Sequence, residues 1–135
     1  MSQHQPDILS TSTPEREPIV NDFSITFCTV NGSGSATSNL TVLRAIFKMG
    51  IPVSGKNIFP SNIQGLPTWY SIRVSKEGFT ARVEKDDIIV AMNPATFIQD
   101  LDYVVPGGIV LYSDEIKLTP TRNDLIYYPM PVKQL

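Results

Sequence analysis

The residue run best suited to chemistry is Gly32-Ser33-Gly34-Ser35-Ala36, small residues lying between a strand-like and a helix-like segment. A turn of this kind lets backbone N–H groups and the positive end of a helix dipole converge on a phosphate or carboxylate. It departs from a dinucleotide fingerprint: Thr37 follows Gly32 and Gly34 where a third glycine is needed, and no acid lies about 20 residues on to grip a ribose. The Lys-Ser/Thr pair of a P-loop is also missing. The same residues suit a tight strand-to-helix turn whose glycines only permit close packing. A second polar group, Ser54, Lys56, Asn57, Ser61, Asn62 and Gln64, offers donors to an anionic or carbonyl-bearing partner without a general base beside them. Lys56 could meet a phosphate there, or stay solvated.

Other chemistry is excluded by count. Cys28 is the single cysteine, so an intrachain disulfide, a four-cysteine zinc site and a four-cysteine iron–sulfur site cannot form. His4 is the single histidine and lies in a polar stretch, which removes Ser-His-Asp and Cys-His arrangements from the folded part. No catalytic residue and no metal ligand set is identified. Cys28 reads as a buried, inert thiol, and Trp69 and Tyr70 as core or interface aromatics.

The charge is unevenly placed. Between Phe23 and Lys76 there is no Asp or Glu, while Arg44, Lys48, Lys56, Arg73 and Lys76 give the stretch a formal charge of +5; both flanks are acidic, and the net charge is −2. A basic stretch without carboxylates favours an anionic ligand or an acidic protein surface, or is simply a solvated face.

These residues need elements to hold them. Phe23 to Val30 alternates apolar and small polar residues and ends at Asn31-Gly32, as a strand does. Thr37 to Met49 sets Leu40, Leu43 and Phe47 on one stripe with Val42, Ile46 and Met49 beside it, which predicts a helix buried over a wide arc, closed by Gly50 and Pro52. Residues 51–67 read as a long ordered loop. Thr68 to Val74 reads as a strand that turns at Lys76-Glu77-Gly78 into a hairpin partner, Phe79 to Val83. Asp87 to Met92 reads as a fully buried strand, Pro94 to Val104 as a helix capped by Asn93, Pro106-Gly107-Gly108 as a turn, and Ile109–Tyr112 and Leu125–Tyr128 as strands. The alternation implies an α/β, three-layer, Rossmann-like domain with a mostly parallel sheet.

At 135 residues, with 41% hydrophobic and 18% charged residues, the chain fits one globular domain at 21–135 behind a flexible leader at 1–20. Uncharged stretches break well before the roughly 18–20 apolar residues of a membrane span, and Met1 to Pro18 has no secretory apolar block. The expectation is a cytoplasmic protein that binds neither membrane nor nucleic acid.

Asp22-Phe-Ser-Ile-Thr26, Thr29-Val-Asn-Gly-Ser-Gly-Ser-Ala36, the block from Phe47 through Gly50 to Tyr70, and Val90-Ala-Met-Asn-Pro94 resemble the γ domain of 2-oxoacid:ferredoxin (acceptor) oxidoreductases. The nearest form is the 2-oxoglutarate type, in which this domain is fused ahead of the thiamine-pyrimidine domain. The resemblance implies a subunit of an enzyme that decarboxylates a 2-oxoacid on thiamine diphosphate and magnesium, passes electrons through iron–sulfur clusters to ferredoxin, and releases an acyl-CoA. These cofactors are expected in the partner thiamine-pyrimidine and thiamine-pyrophosphate domains, with none bound by this chain alone. The chain is expected to be inactive in isolation, to assist assembly, and to shape the side from which coenzyme A approaches. Gly32, Ser33, Gly34, Lys56, Ser61, Asn62, Gln64 and Gly65 are the implied cofactor-facing residues. Family γ domains run on further, so a truncated C-terminus with exposed apolar surface is expected, from a fragment or a shortened reading frame. A stand-alone nucleotide- or CoA-binding module and a purely structural interaction domain are the other readings.

Overall fold

The structure, a computed structural model, describes residues 19–30, 32–58, 66–78, 84–117, 119 and 121–134. Along the chain come β1 (Asp22–Val30), α1 (Ser35–Lys48), β2 (Val53–Ile58), β3 (Pro67–Ser75), β4 (Asp86–Ala91), α2 (Phe97–Leu101), β5 (Val104–Ser113) and β6 (Ile126–Met130), with a 3-10 turn at Val132–Gln134. One sheet takes all six strands in the order β2-β3-β1-β4-β5-β6. β3 runs antiparallel to both its neighbours, and the pairings β1–β4, β4–β5 and β5–β6 are parallel, so five strands point one way. The expected α/β, mostly parallel architecture is what forms.

β1 is the centre. It pairs with β3 over its whole length, Asp22 opposite Ser75 to Val30 opposite Pro67, and with β4 from Ile25–Ile88 to Cys28–Ala91. Its alternation separates two faces. Cys28, Ile89, Ala91, Val110 and Tyr127 project to one face and form the core with Phe97 and Leu101 of α2. Ile25, Phe27, Ile72 and Val74 project to the other, and α1 packs over β1, β2 and β3. The connection from β1 leaves toward β2 and that from β4 toward β5; right-handed crossovers in opposite directions put their helices on opposite faces.

Four expectations need correction. Residues 51–67 are not all loop: Val53–Ile58 is an edge strand, whose weak intrinsic propensity is overridden by pairing with β3 from Val53–Val74 to Ile58–Trp69. Gly55 is accommodated there because the Tyr70 ring occupies the space a Cβ would need. α1 is not buried over a wide arc: Asn39 is its only fully buried residue, while Leu40, Phe47 and Met49 are 38%, 70% and 71% exposed, because the sheet covers only the side bearing Val42, Leu43 and Ile46. The second helix starts at Phe97, not Pro94; the Asn93 side chain accepts from Ala95 N–H at 3.0 Å and closes a turn ahead of the helix, and Val104 already belongs to β5. Pro106-Gly107-Gly108 lies inside β5, where the register jumps from Asp86–Val104 to Ile88–Ile109, a bulge that Gly107 allows by its φ of 79°.

Other expectations need smaller adjustment. β4 begins at Asp86, and its Ile88 and Val90 are half-buried, not fully buried. Gly50, at φ 82°, donates to the Phe47 carbonyl at 3.0 Å and ends α1 as anticipated. The leader to Pro18 and the hairpin partner Phe79–Val83 lie outside the described residues, and both edges of β3 are already taken by β1 and β2.

Arg122 holds the far half together. Its Nη1 donates to the carbonyls of Leu101 and Val104, both at 2.7 Å, while Nε and Nη2 grip Asp124 at 2.9 and 2.6 Å. The pairing raises the arginine further above its ordinary value and lowers Asp124. The Tyr127 hydroxyl donates to the Arg122 carbonyl at 2.6 Å, and burial drives that phenol up to about 12. A planar fork is required for these four bonds, so Arg122→Lys should cost about 1–3 kcal/mol in urea unfolding. Arg122→Lys with wild-type stability would show that the fork contributes nothing net.

Candidate functional site

At β1 and β4 the chain departs in opposite directions, and such a point opens a crevice at the carboxyl ends of the strands. On the β1 side stand Gly32, Ser33 and Gly34, all exposed. Ser33 N–H donates back to the Val30 carbonyl at 3.2 Å. Gly34 then sits at the N-cap of α1 with φ 81° and ψ 4°, and no side chain caps the helix. The N-cap residue therefore offers the first-turn amides no side-chain acceptor, and no acid occupies that turn. Glycine is needed at 34 for its left-handed backbone, since a Cβ there would meet nothing within 4 Å. The positive φ, and not close packing against a Cβ, is what calls for glycine at this position.

The crevice has a polar frame. Thr29 and Ser35 share a hydroxyl hydrogen bond of 2.9 Å, Met92 N–H donates to the Cys28 carbonyl at 2.8 Å, and Asn93 Nδ2 donates to the Thr29 carbonyl at 3.5 Å. The first bond ties β1 to α1, and the other two tie the residues after β4 to the end of β1. Asn93, expected only as a helix cap, is a structural member of the crevice.

The structure separates the other candidates. Lys56 is exposed on the edge strand β2, level with Ser71 and Thr26, thus four residues short of the end of β1. A charged side chain on an edge strand also discourages further strand pairing. Ser61, Asn62, Gln64 and Gly65 lie outside the described residues. Their described flanks, Ile58 and Leu66, stand at the same carboxyl edge as the glycine turn.

A cavity of about 450 Å³ lies on the α2 face of the sheet. Thr26, Cys28 and Ile89 line it from β1 and β4, and Ile58 and Trp69 from β2 and β3. Gln99, Asp100 and Asp102 line it from α2 and the turn after it, with Tyr103 and Asp86. Asp100 is 3% exposed. Its Oδ1 accepts from Trp69 Nε1 at 2.9 Å and its Oδ2 from Thr96 Oγ1 at 2.8 Å. Burial nevertheless raises its carboxyl above the ordinary value, and the two donors only oppose that rise. Burial, then the Asp100 charge, pushes the Cys28 thiol well above its usual range. It is a poor nucleophile, as the inert reading expected. The sequence reading missed Asp100 and Thr26; the available signal was the small polar series Ser24, Thr26, Cys28 on a central strand, opposite Phe23, Ile25 and Phe27. Among the described residues, no group of three His, Cys, Asp or Glu could hold a metal ion.

A family model described as pyruvate ferredoxin/flavodoxin oxidoreductase matches residues 24–135. The chain belongs to that family. No curated protein matches this chain in sequence. Solved structures share the family fold. One is a 2-oxoglutarate:ferredoxin oxidoreductase from Magnetococcus marinus with 2-oxoglutarate, coenzyme A and succinyl-CoA bound, at TM-score 0.74 and 24% identity over 86% of this chain and 21% of that one. A pyruvate oxidoreductase subunit from Thermotoga maritima gives 0.64 and 16% over 80% of this chain and 62% of its own. The gamma subunit of a keto/oxoacid ferredoxin oxidoreductase from Geobacter sulfurreducens gives 0.66 and 12% over 82% and 62%. The family domain here thus spans about a fifth to three fifths of these chains. Among its described residues no helix is long and apolar enough to cross a membrane.

The sign of the Asp100 shift fixes a pH dependence. With a folded pKa above the unfolded one, the folded state holds a proton that the unfolded chain has released, so this contribution favours folding at low pH and is lost as pH rises through the raised value. Urea melts of wild type and Asp100→Asn across that window should show wild type losing stability relative to the variant as pH rises. The opposite slope would mean that Trp69 and Thr96 stabilise the carboxylate by more than burial costs.

Proposed function

We propose that this chain is the γ domain of a thiamine-diphosphate-dependent 2-oxoacid:ferredoxin oxidoreductase, acting on 2-oxoglutarate or a related 2-oxoacid. The observation that carries the reading is the family match along residues 24–135, with the uncapped glycine turn placed at the switch-point crevice. The domain contributes assembly and an anion-receiving edge, and the chemistry of decarboxylation lies in partner domains. With one cysteine in the chain, the iron–sulfur clusters that carry electrons to ferredoxin take their ligands elsewhere. Thiamine diphosphate with its magnesium ion supplies the carbanion chemistry there.

The chain's own residues fit one part of coenzyme A. The N–H groups at the start of α1, beside Gly32, Ser33 and Gly34, suit a phosphate oxygen, and no acid in the first turn opposes it. Lys56, from the edge strand, and Ser61, Asn62, Gln64 and Gly65 are proposed to supply further polar groups toward coenzyme A. The exposed Leu40, Phe47 and Met49 along α1, interleaved with Arg44 and Lys48, support docking against a partner domain. A stand-alone module that binds a nucleotide or coenzyme A is the second reading, favoured by the same uncapped amides. The cytoplasm is the proposed location.

The chain co-expressed with its neighbouring subunits and captured by affinity should bring thiamine and iron–sulfur proteins with it and reduce a viologen dye in a 2-oxoglutarate- and CoA-dependent way. In that complex Ser33→Asp should raise KM for CoA about five- to tenfold and leave KM for the 2-oxoacid unchanged, since it sets a carboxylate against the helix end. A chain that emerges alone, folded and monomeric, would overturn the subunit reading and leave the small binding module. An unchanged KM for CoA in an active complex would remove only the glycine turn from the CoA path.

A further inference from the structure

We propose that the cavity between α2 and strands β1 to β3 binds a small organic cation, an alkyl- or arylammonium or an amidinium, with its apolar body against Trp69 and its charged head among carboxylates. This site is distinct from the glycine turn, none of whose residues line it. Three observations meet there.

The first is charge. Asp86, Asp100 and Asp102 all line the cavity, and its described lining includes no Lys, Arg or His. Walls of one sign around a low-dielectric space concentrate the opposite charge and repel an anion. Asp100 Oδ1 accepts from Trp69 and Oδ2 from Thr96, with the Cys28 thiol also against the carboxylate, and a carboxylate offers about four acceptor positions in all.

The second is an unmet hydroxyl. Thr26 is 4% exposed and lines the cavity, and its Oγ1, closed off from solvent, has no hydrogen-bond partner among the described residues. A buried hydroxyl without a partner costs stability, so a ligand N–H that meets it on rotation of the Thr26 side chain toward the cavity recovers a bond the folded chain lacks. Ser24 and Cys28, on the same face of β1, do not compete for it: the Cys28 thiol lies against the Thr26 carbonyl at 4.0 Å.

The third is shape. Ile58, Trp69 and Ile89 give an apolar wall, and the bond from Trp69 to Asp100 holds the indole in place. An immobile indole beside carboxylates suits a cation, through the ring face and the charges together. A volume of about 450 Å³ falls within the range of small-molecule sites. Exposed Gln99, Asp102 and Tyr103 give the cavity an outlet to solvent.

Trp69 is the only tryptophan in the chain, so its emission reports on the cavity directly. The full 135-residue chain is titrated with benzylammonium, benzyl alcohol and benzoate, each followed by fluorescence and by calorimetry. The expected result is saturable binding of benzylammonium, about tenfold or more weaker binding of the alcohol, and none of benzoate. Asp102→Asn, an exposed change that leaves the core untouched, should weaken benzylammonium about threefold, and Asp100→Asn about tenfold. Silence of both methods toward benzylammonium overturns the proposal. So does equal binding of the alcohol or benzoate, or an affinity unchanged in Asp102→Asn, which keeps the test valid should Asp100→Asn fail to fold.

Discussion

The hydrogen bond from Trp69 Nε1 to Asp100 Oδ1 reaches from β3, past the central strand, to α2, and much of the α2 face is arranged around it. A bond to a charged acceptor away from water contributes about 1.5–3 kcal/mol and costs more when one partner is removed. Because Thr96 holds the other oxygen, the carboxylate fixes the start of α2 as well as its flank. The helix has only five residues and no side-chain cap of its own, so tertiary contacts set its position. Phe97 and Leu101 can then enter the core beneath it.

That arrangement also explains the chemistry of β1. A bulky series on its α2 side would fill the space that Trp69 and Asp100 occupy, and the strand carries Ser24, Thr26 and Cys28 there. Its large residues, Phe23, Ile25 and Phe27, go to the α1 side. The two faces of one strand thus serve different ends, packing on one side and a lined cavity on the other. The glycine turn sits at a third place, the strand's end, where the chain passes into α1. The acid-free stretch from Phe23 to Lys76 keeps carboxylates away from that end, and the cavity's acids all come from residues beyond it.

Much of this was legible in the sequence, wherever a local pattern and its environment agreed. β1, α1, β3 and the core of β4 and β5 follow from periodicity, and Gly50 from the helix end it closes. β2 was not legible because Val-Ser-Gly-Lys-Asn-Ile carries almost no strand propensity; its pairing with β3 and the cover of Tyr70 over Gly55 are long-range facts. The bulge at Pro106-Gly107-Gly108 reads locally as a turn, and only the register of β4 against β5 shows that the strand continues. The wide apolar arc of α1 was read as core because periodicity counts apolar residues and does not know how much sheet lies beneath. The strand-to-helix turn was legible because its positive-φ positions, Gly32 and Gly34, are written in glycine. Asp100 was not found, since an acid in a short helix looks solvated until Trp69, 31 residues earlier, is brought against it.

The place of β1 has a consequence for how the chain comes off the ribosome. The strand at the middle of the sheet is the first to be made, but its antiparallel partner ends 45 residues after Val30 and its parallel partner 61 after. At about 5–20 residues per second, roughly 3–12 s pass between the emergence of β1 and the completion of β4. Until β3 emerges both hydrogen-bonding edges of an apolar, aromatic strand lack their native neighbours, and for the whole interval the edge that β4 takes stays open and the thiol lacks the burial that later silences it. A holdase that shields Phe23 to Val30 would thus act on the nascent domain before the parallel half of its sheet exists.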